Sequence, residues 1–242
     1  MSENAIDVCD LCINYRGLKS YSIKKNLFLF KRPQIDEFEA VKHITFSVKK
    51  GNILGIVGKN GSGKSTLLSA IAGIFSPNSG YINLHGHSVS LLSIGVGFQR
   101  ELSGRENILL SGMLLGFSEA QVKAKMDSII EFAEIGDFID APVRTYSSGM
   151  YSKLAFSITA ILETDIILID EILSVGDTKF KKKSYQKMRD LISDEEKTVI
   201  IVSHSLETLR SLCTEVLWLH DGEVRMYDKP EQVLACYEKF MS

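Results

Sequence analysis

Positive charge is not in excess in this chain, cysteine is rare and no long apolar run occurs. Its 28 Lys and Arg face 30 Asp and Glu, a formal net charge of −2, so no general basic field exists to hold nucleic acid. No apolar stretch approaches the ~20 residues that cross a bilayer. The opening "MSENAIDVCD" lacks a basic start followed by an apolar core, so it does not read as a secretory signal. Among the 4 cysteines, Cys9 and Cys12 form a lone C-x-x-C. On a regular strand those positions face opposite sides, and no second pair stands at zinc-site spacing. The expectation is buried free thiols in a reducing, cytosolic compartment. With 242 residues, 45% of them hydrophobic and 24% charged, the chain is long enough to bury a real core. It shows no internal repeats and no low-complexity tracts.

What it does contain is "GKNGSGKST", the run Gly58, Lys59, Asn60, Gly61, Ser62, Gly63, Lys64, Ser65 and Thr66. A G-x-x-x-x-G-K-[ST] pattern lets backbone N–H groups wrap the phosphates of a nucleotide, because glycines accept the dihedrals of a tight nest. Lys64 supplies a point charge to the outer phosphates, and the Ser65 hydroxyl is placed to ligate Mg2+. A flexible glycine-serine linker is the plainer reading, and context rejects it. "NILGIVG" (52–58) reads as a buried parallel strand before the loop, and "KSTLLSAIAGIF" (64–75) as a helix after it, stopped by "SPNSG".

Two further strand ends fit the same edge. "DIILIDE" runs four apolar residues into Asp170 and Glu171, and a strand buried on both faces delivers its last residues to the carboxyl edge of a parallel sheet. Asp170 there would hold Mg2+, through water, and Glu171 would orient or deprotonate the attacking water. "VIIVSHS" repeats the geometry and brings His204 within reach of a terminal phosphate. In "TYSSGMYSKLAFSI", Ser147 or Ser148 caps a helix whose N-terminus offers an anion site.

Elsewhere "AIDVCDLCINY" reads as an early strand. The segment that follows, "RGLKSYSIKKNLFLFKRPQIDEF", flanks aromatics with basic residues. It is either an insertion that touches a membrane protein or lipid headgroups, or a long loop folded over the core. "AVKHITFSVKKGNILGIVG" gives two strands joined at Lys49-Lys50-Gly51. His85 and His87 form an H-x-H with no third ligand suggested nearby, which favours an exposed turn over a metal site. From Arg105 to Asp140 the pattern is helical: Ser118 and Gln121 form a capping box, Val122, Met126, Ile129 and Ala133 share one face, and Gly136 suits the end. Strands and helices then alternate through "TKFKKKSYQKMRDLI", "KTVIIVSH" and "LETLRSL" to a hairpin turning at Asp221-Gly222.

The order of phosphate loop, Gln99, "YSSGM", "LIDE", "SVGD" and "SHS" resembles the nucleotide-binding subunit of an ATP-binding cassette (ABC) transporter over nearly the whole chain. The resemblance implies an α/β fold with a P-loop NTPase parallel-sheet core, an antiparallel β subdomain and an inserted helical subdomain at about 100–160, all within one domain spanning 1–242. An inserted loop at about 16–38 would lie near the membrane interface. By the same resemblance Tyr15 stacks on adenine, and Gln99 links Mg2+ and water to the membrane partner. Ser147 and Gly149 belong to the signature motif, with Ser148 in place of its first glycine, and Asp177 lies in the loop that crosses a dimer interface. The implied assembly is a head-to-tail homodimer that sandwiches ATP and works with an integral membrane permease at the cytoplasmic face of the inner membrane.

"YSSGM" departs from the common "LSGGQ", and with "GVGFQRELSGRENI" and "DEILSVGDTKF" it is similar to the subfamily that exports lipid-linked polysaccharides, notably O-antigen. Capsule or teichoic acid is the alternative cargo. No carbohydrate-binding domain is expected after the ATPase, so glycan selectivity would lie in the membrane partner. ATPases of chromosomes or ribosomes would need coiled-coil insertions or a second cassette, and a GTPase would need an N-K-x-D motif that does not occur.

Overall fold

A computed structural model describes residues 3–17, 36–92, 97–170 and 177–241. The basic and aromatic segment therefore lies mostly outside the described residues, as do Glu171 and most of the "SVGD" stretch. Strands β1 (Asn4–Gly17), β2 (Asp36–Lys49) and β4 (Ser79–Asn83) form an antiparallel sheet in the order β2-β1-β4. Pairing runs through Tyr15 with Phe38, Arg16 with Glu37 and Gly17 with Asp36. Regular strand thus extends into both ends of the stretch 16–38, which the sequence alone suggested was all insertion.

The second sheet holds β3 (Ile53–Val57), β5 (Val89–Leu91), β6 (Ile166–Asp170), β7 (Thr198–Val202), β8 (Glu215–His220) and β9 (Glu223–Asp228). Its order is β5-β6-β7-β3-β8-β9, parallel through β8 and ended by an antiparallel hairpin. Side chains alternate between its faces as the two-residue strand period requires. Leu54, Ile56, Leu168, Ile200 and Leu217 join the core shared with the antiparallel sheet and α1 (Lys64–Ile71). Ile167, Ile169, Val199, Ile201 and Val216 face the opposite way, toward α5 (Thr178–Ile192), α6 (Leu206–Leu212) and α7 (Pro230–Met241).

A third cluster joins α2 (Gly104–Leu114), α3 (Glu119–Ala133) and α4 (Ser148–Leu162). Helix α4 belongs to two cores at once: Leu154, Ile158 and Leu162 face the helical cluster, while Phe156 and Ala160 face the sheet. Helix α3 has both bonds of the expected capping box, and Val122, Met126, Ile129 and Ala133 are its buried residues.

Several local expectations change. Helix α1 stops at Ile71, not Phe75, because Gly73 takes φ 73. The N–H groups of Gly73 and Ile74 then turn back to the carbonyls of Ala70 and Ser69, the Schellman arrangement that ends a helix. The left-handed residue after α3 is Glu134, ahead of Gly136. A bulge at Asp10 (φ 47) inserts a residue into β1. Val8 and Leu11 consequently both point inward, and Cys9 and Cys12 share the outer side. No cysteine is fully buried; Cys9, Cys12 and Cys213 are half-buried and Cys236 is exposed. His85 pairs with Asp7 at 2.6 Å. The terminal helix α7 was not anticipated from the sequence. Among the described residues, no helix is long and apolar enough to cross a membrane.

Phe180 of α5 is fully buried and packs against Phe132 of α3 and Phe156 of α4. Phe180→Ala is expected to cost about 3–5 kcal/mol in urea unfolding; a loss below about 1 kcal/mol would show that this junction does not hold the helices to the sheet.

Candidate functional site

The sheet order decides which side chains meet. Strand β7 lies between β3 and β6, so the loop after β3, the last residue of β6 and the residues after β7 leave the same carboxyl edge. Between them and the antiparallel sheet opens a cleft of about 430 Å³, lined by Asn60, Gly61, Gly63, Lys64, Ser65, Thr66, Asp170, His204 and Tyr15. All of these were candidates from the sequence. Phe38, Ala40 and Val202 complete the lining and were not. Phe38 had a legible signal, since Phe38 and Ala40 stand two apart on one strand and therefore share a face.

The loop's shape is enforced by close main-chain neighbours. A Cβ on Gly58 would lie 2.2 Å from the Leu219 carbonyl oxygen, and one on Gly63 2.3 Å from that of Ala40. Gly61 and Gly63 also take φ 81 and 98, which residues with a side chain rarely adopt. Lys64 is 7% exposed, and its ammonium donates to the carbonyls of Gly58 at 2.7 Å and Lys59 at 2.9 Å. Ser62 Oγ is buried without a hydrogen-bond partner. Gly58, Lys59 and Ser62 support the loop without lining the cleft.

These residues fit a nucleotide polyphosphate with a divalent cation. The start of α1, a glycine cradle, a lysine ammonium and two hydroxyls supply donors for an anion, and Asp170 adds the oxygen ligand that a hard cation selects. Tyr15 Oη and Thr66 Oγ1 share a hydrogen bond at 3.2 Å, and the Tyr15 ring meets Phe75 edge-on at 6.1 Å. The aromatic is thus tied to the helix that starts at the loop.

Gln99, Ser147, Ser148, Gly149 and Asp177 lie outside this cleft. Gln99 is fastened by a residue the sequence reading missed. Asn107 is 0% exposed; its Oδ1 accepts from Gln99 N at 2.7 Å, and its Nδ2 donates to the carbonyls of Gln99, Leu102 and Ser103. An amide inside the apolar helix "ENILL" was the available clue. Ser147 caps α4 by accepting from Met150 N at 3.2 Å. A Cβ on Gly149 would approach nothing nearer than Ser147 Oγ at 3.9 Å, so this helix start is open.

Asp177 caps α5, with Oδ1 accepting from Lys179 N and Phe180 N, each at 3.0 Å. Its Oδ2 meets Lys153 Nζ of α4 at 2.5 Å. The Lys153 bond first, then the backbone N–H of Phe180, hold its carboxyl down at about 2. Burial pushes the Cys213 thiol up to about 12, which keeps it protonated and unreactive at neutral pH.

Two outcomes follow. Asp177 has a depressed folded pKa, so its contribution to stability is complete above its ordinary value near 3.8 and is lost as pH falls toward about 2. NMR titration should give a midpoint near 2 that moves toward 3.8 in Lys153→Met; an unchanged midpoint would remove Lys153 as the cause. Asn107→Ala should cost about 1–3 kcal/mol in chemical denaturation, because it strands the Gln99 backbone groups; a neutral effect would contradict the clamp.

The ABC transporter family description matches residues 41–174. An O-antigen export system ATP-binding protein, RfbB of Myxococcus xanthus, is 48% identical over 203 residues, covering 84% of this chain and 46% of that protein. The teichoic acids export ATP-binding protein TagH of Lactococcus lactis is 46% identical over 205 residues, covering 85% and 44%. The chain thus spans less than half the length of these two relatives. A dimeric ATP-binding cassette solved in a post-hydrolysis state with ADP and Pi superposes with a TM-score of 0.68 at 20% identity, covering 93% of this chain and 98% of that one. At that identity the likeness shows the fold. The parallel sheet, antiparallel sheet and helical cluster are therefore an ABC cassette, and the chain belongs to the ABC transporter family.

Proposed function

We propose that the chain is the ATP-hydrolysing subunit of an exporter that moves lipid-linked O-antigen polysaccharide across the bacterial inner membrane. The observation that carries the reading is the meeting of Lys64, Ser65, Asp170 and His204 in one cleft. The relative named for O-antigen export supports the cargo. A second cargo, teichoic acid, is favoured by the relative named for its export.

When bound, ATP and Mg2+ would supply in-line transfer of a terminal phosphoryl group to water. The chain's own groups divide that task. The loop from Gly58 to Gly63 and the start of α1 bind phosphate oxygens, and Lys64 neutralises the outer ones. Ser65, Asp170 and Gln99 would hold the cation. Glu171 orients the water and accepts its proton, and His204 donates toward the terminal phosphate. Tyr15 would carry the base.

Ser147, Ser148, Gly149 and Asp177 serve the cleft of a second copy in this reading. The open N-terminus of α4 and the cleft are separate surfaces of one chain, so a head-to-tail homodimer is the arrangement that lets one complete the other. Asp177, tied to α4 through Lys153, would follow that helix as the dimer closes. The single cassette would keep the helices of 100–160 as its moving subdomain.

A permease is the proposed membrane partner at the cytoplasmic face. A cleft of about 370 Å³, in which Ile74, Leu91, Leu114 and Leu115 stand beside His87 and Ser88, supports it. Ile74 and Leu114 are 46% and 57% exposed, and a Cβ on Gly97 would strike Leu114 at 2.1 Å. A load on this surface would reach Gln99, two residues on.

Glu171→Gln should keep ATP binding and lower turnover by about a hundredfold or more; normal turnover would refute the role of Glu171. Tagged and recovered from detergent-solubilised membranes with ATP and Mg2+, the variant should bring down a polytopic membrane protein carrying a lipid-linked glycan. A teichoic acid polymer in that place favours the second cargo. Recovery with no membrane protein would contradict the exporter.

A further inference from the structure

We propose that Phe38, together with Tyr15, forms a two-ring clamp for the nucleotide base, with Phe38 as its outer, unanchored member. The inference rests on the ATP reading and extends it to a residue of β2. Tyr15 and Phe38 are direct cross-strand partners on β1 and β2, where side chains stand about 5 Å apart at Cβ. Both line the cleft that holds Lys64 and Thr66. They differ in restraint: Tyr15 is tied to Thr66 through its hydroxyl and backed by Phe75.

Phe38 is 60% exposed. A phenyl exposed to this extent within the cleft presents an apolar face that a flat, apolar group would remove from water. The polar lining of the cleft, from Asn60 to Thr66 with Asp170 and His204, takes the phosphates in the ATP reading. Tyr15 and Phe38 add two aromatic rings to the same lining, which suits the π-face of a base held by stacking and apolar contact.

The test is equilibrium binding of two probes, ATP and inorganic tripolyphosphate, to the full 242-residue chain with Mg2+. Phe38→Ala should weaken ATP about tenfold, within the range for loss of one base–aromatic contact, and leave tripolyphosphate unchanged. Phe38→Tyr should restore ATP affinity. Wild-type affinity for ATP in Phe38→Ala, an equal loss for both probes, or no rescue by tyrosine would each overturn the inference while leaving the ATP reading in place. A wild-type chain that binds neither probe would overturn the ATP reading, and the clamp with it.

Discussion

The contact on which the cleft depends is between backbones. The phosphate loop passes so near the carbonyls of Leu219 and Ala40 that Gly58 and Gly63 have no room for a side chain. Ala40 belongs to the antiparallel sheet and Leu219 to the parallel one, so the loop is held in a seam between the two. Gly222 at the hairpin turn closes the seam, donating to the Ser62 carbonyl at 3.2 Å and accepting from Lys42 N at 2.8 Å. Main-chain clamps of this kind fix donor directions before any ligand arrives, which is what preorganised anion binding needs. The two sheets therefore do more than share a core: their junction shapes the site.

The helical cluster is fastened to this frame at a few points. Helix α4 contributes to two cores, Asn107 holds the backbone at Gln99, and Lys153 binds Asp177 at the start of α5. The last two of these fastenings reach segments that follow strands of the parallel sheet, Gln99 after β5 and Asp177 after β6. A partner that moves the helices would be felt at Gln99 and Asp177, and this gives the exporter reading its mechanical content.

Much of this was legible in the sequence where a local pattern alone decides structure. The phosphate loop with its flanking strand and helix, the Ser118–Gln121 capping box, the extent of α5 and the Asp221-Gly222 turn all follow from residue types at fixed spacing, and the structure has them. The misses share a different cause. The bulge at Asp10, which brings Cys9 and Cys12 to one side, depends on partner strands distant in sequence. The early end of α1 is set by Gly73 taking a left-handed conformation inside an apolar run that reads as helix. Asn107 and Phe38 leave only local marks in the sequence, an amide in an apolar helix and an aromatic two residues from Ala40, while their partners are set by the fold. Pattern reading names the loop and Asp170; it does not name Phe38 or the amide that holds Gln99.

The cleft's lining and the chain's membership of the ABC transporter family are the ground for reading the loop from Gly58 to Thr66 as a nucleotide site. The most direct test of that account is calorimetric titration of the chain and of Lys64→Ala with ATP and Mg2+. Stoichiometric binding by the chain, weakened at least about tenfold in the variant through loss of a charge-assisted contact, is the predicted result. No binding by the chain, or equal affinity in both proteins, would contradict the claim that this loop is a nucleotide site.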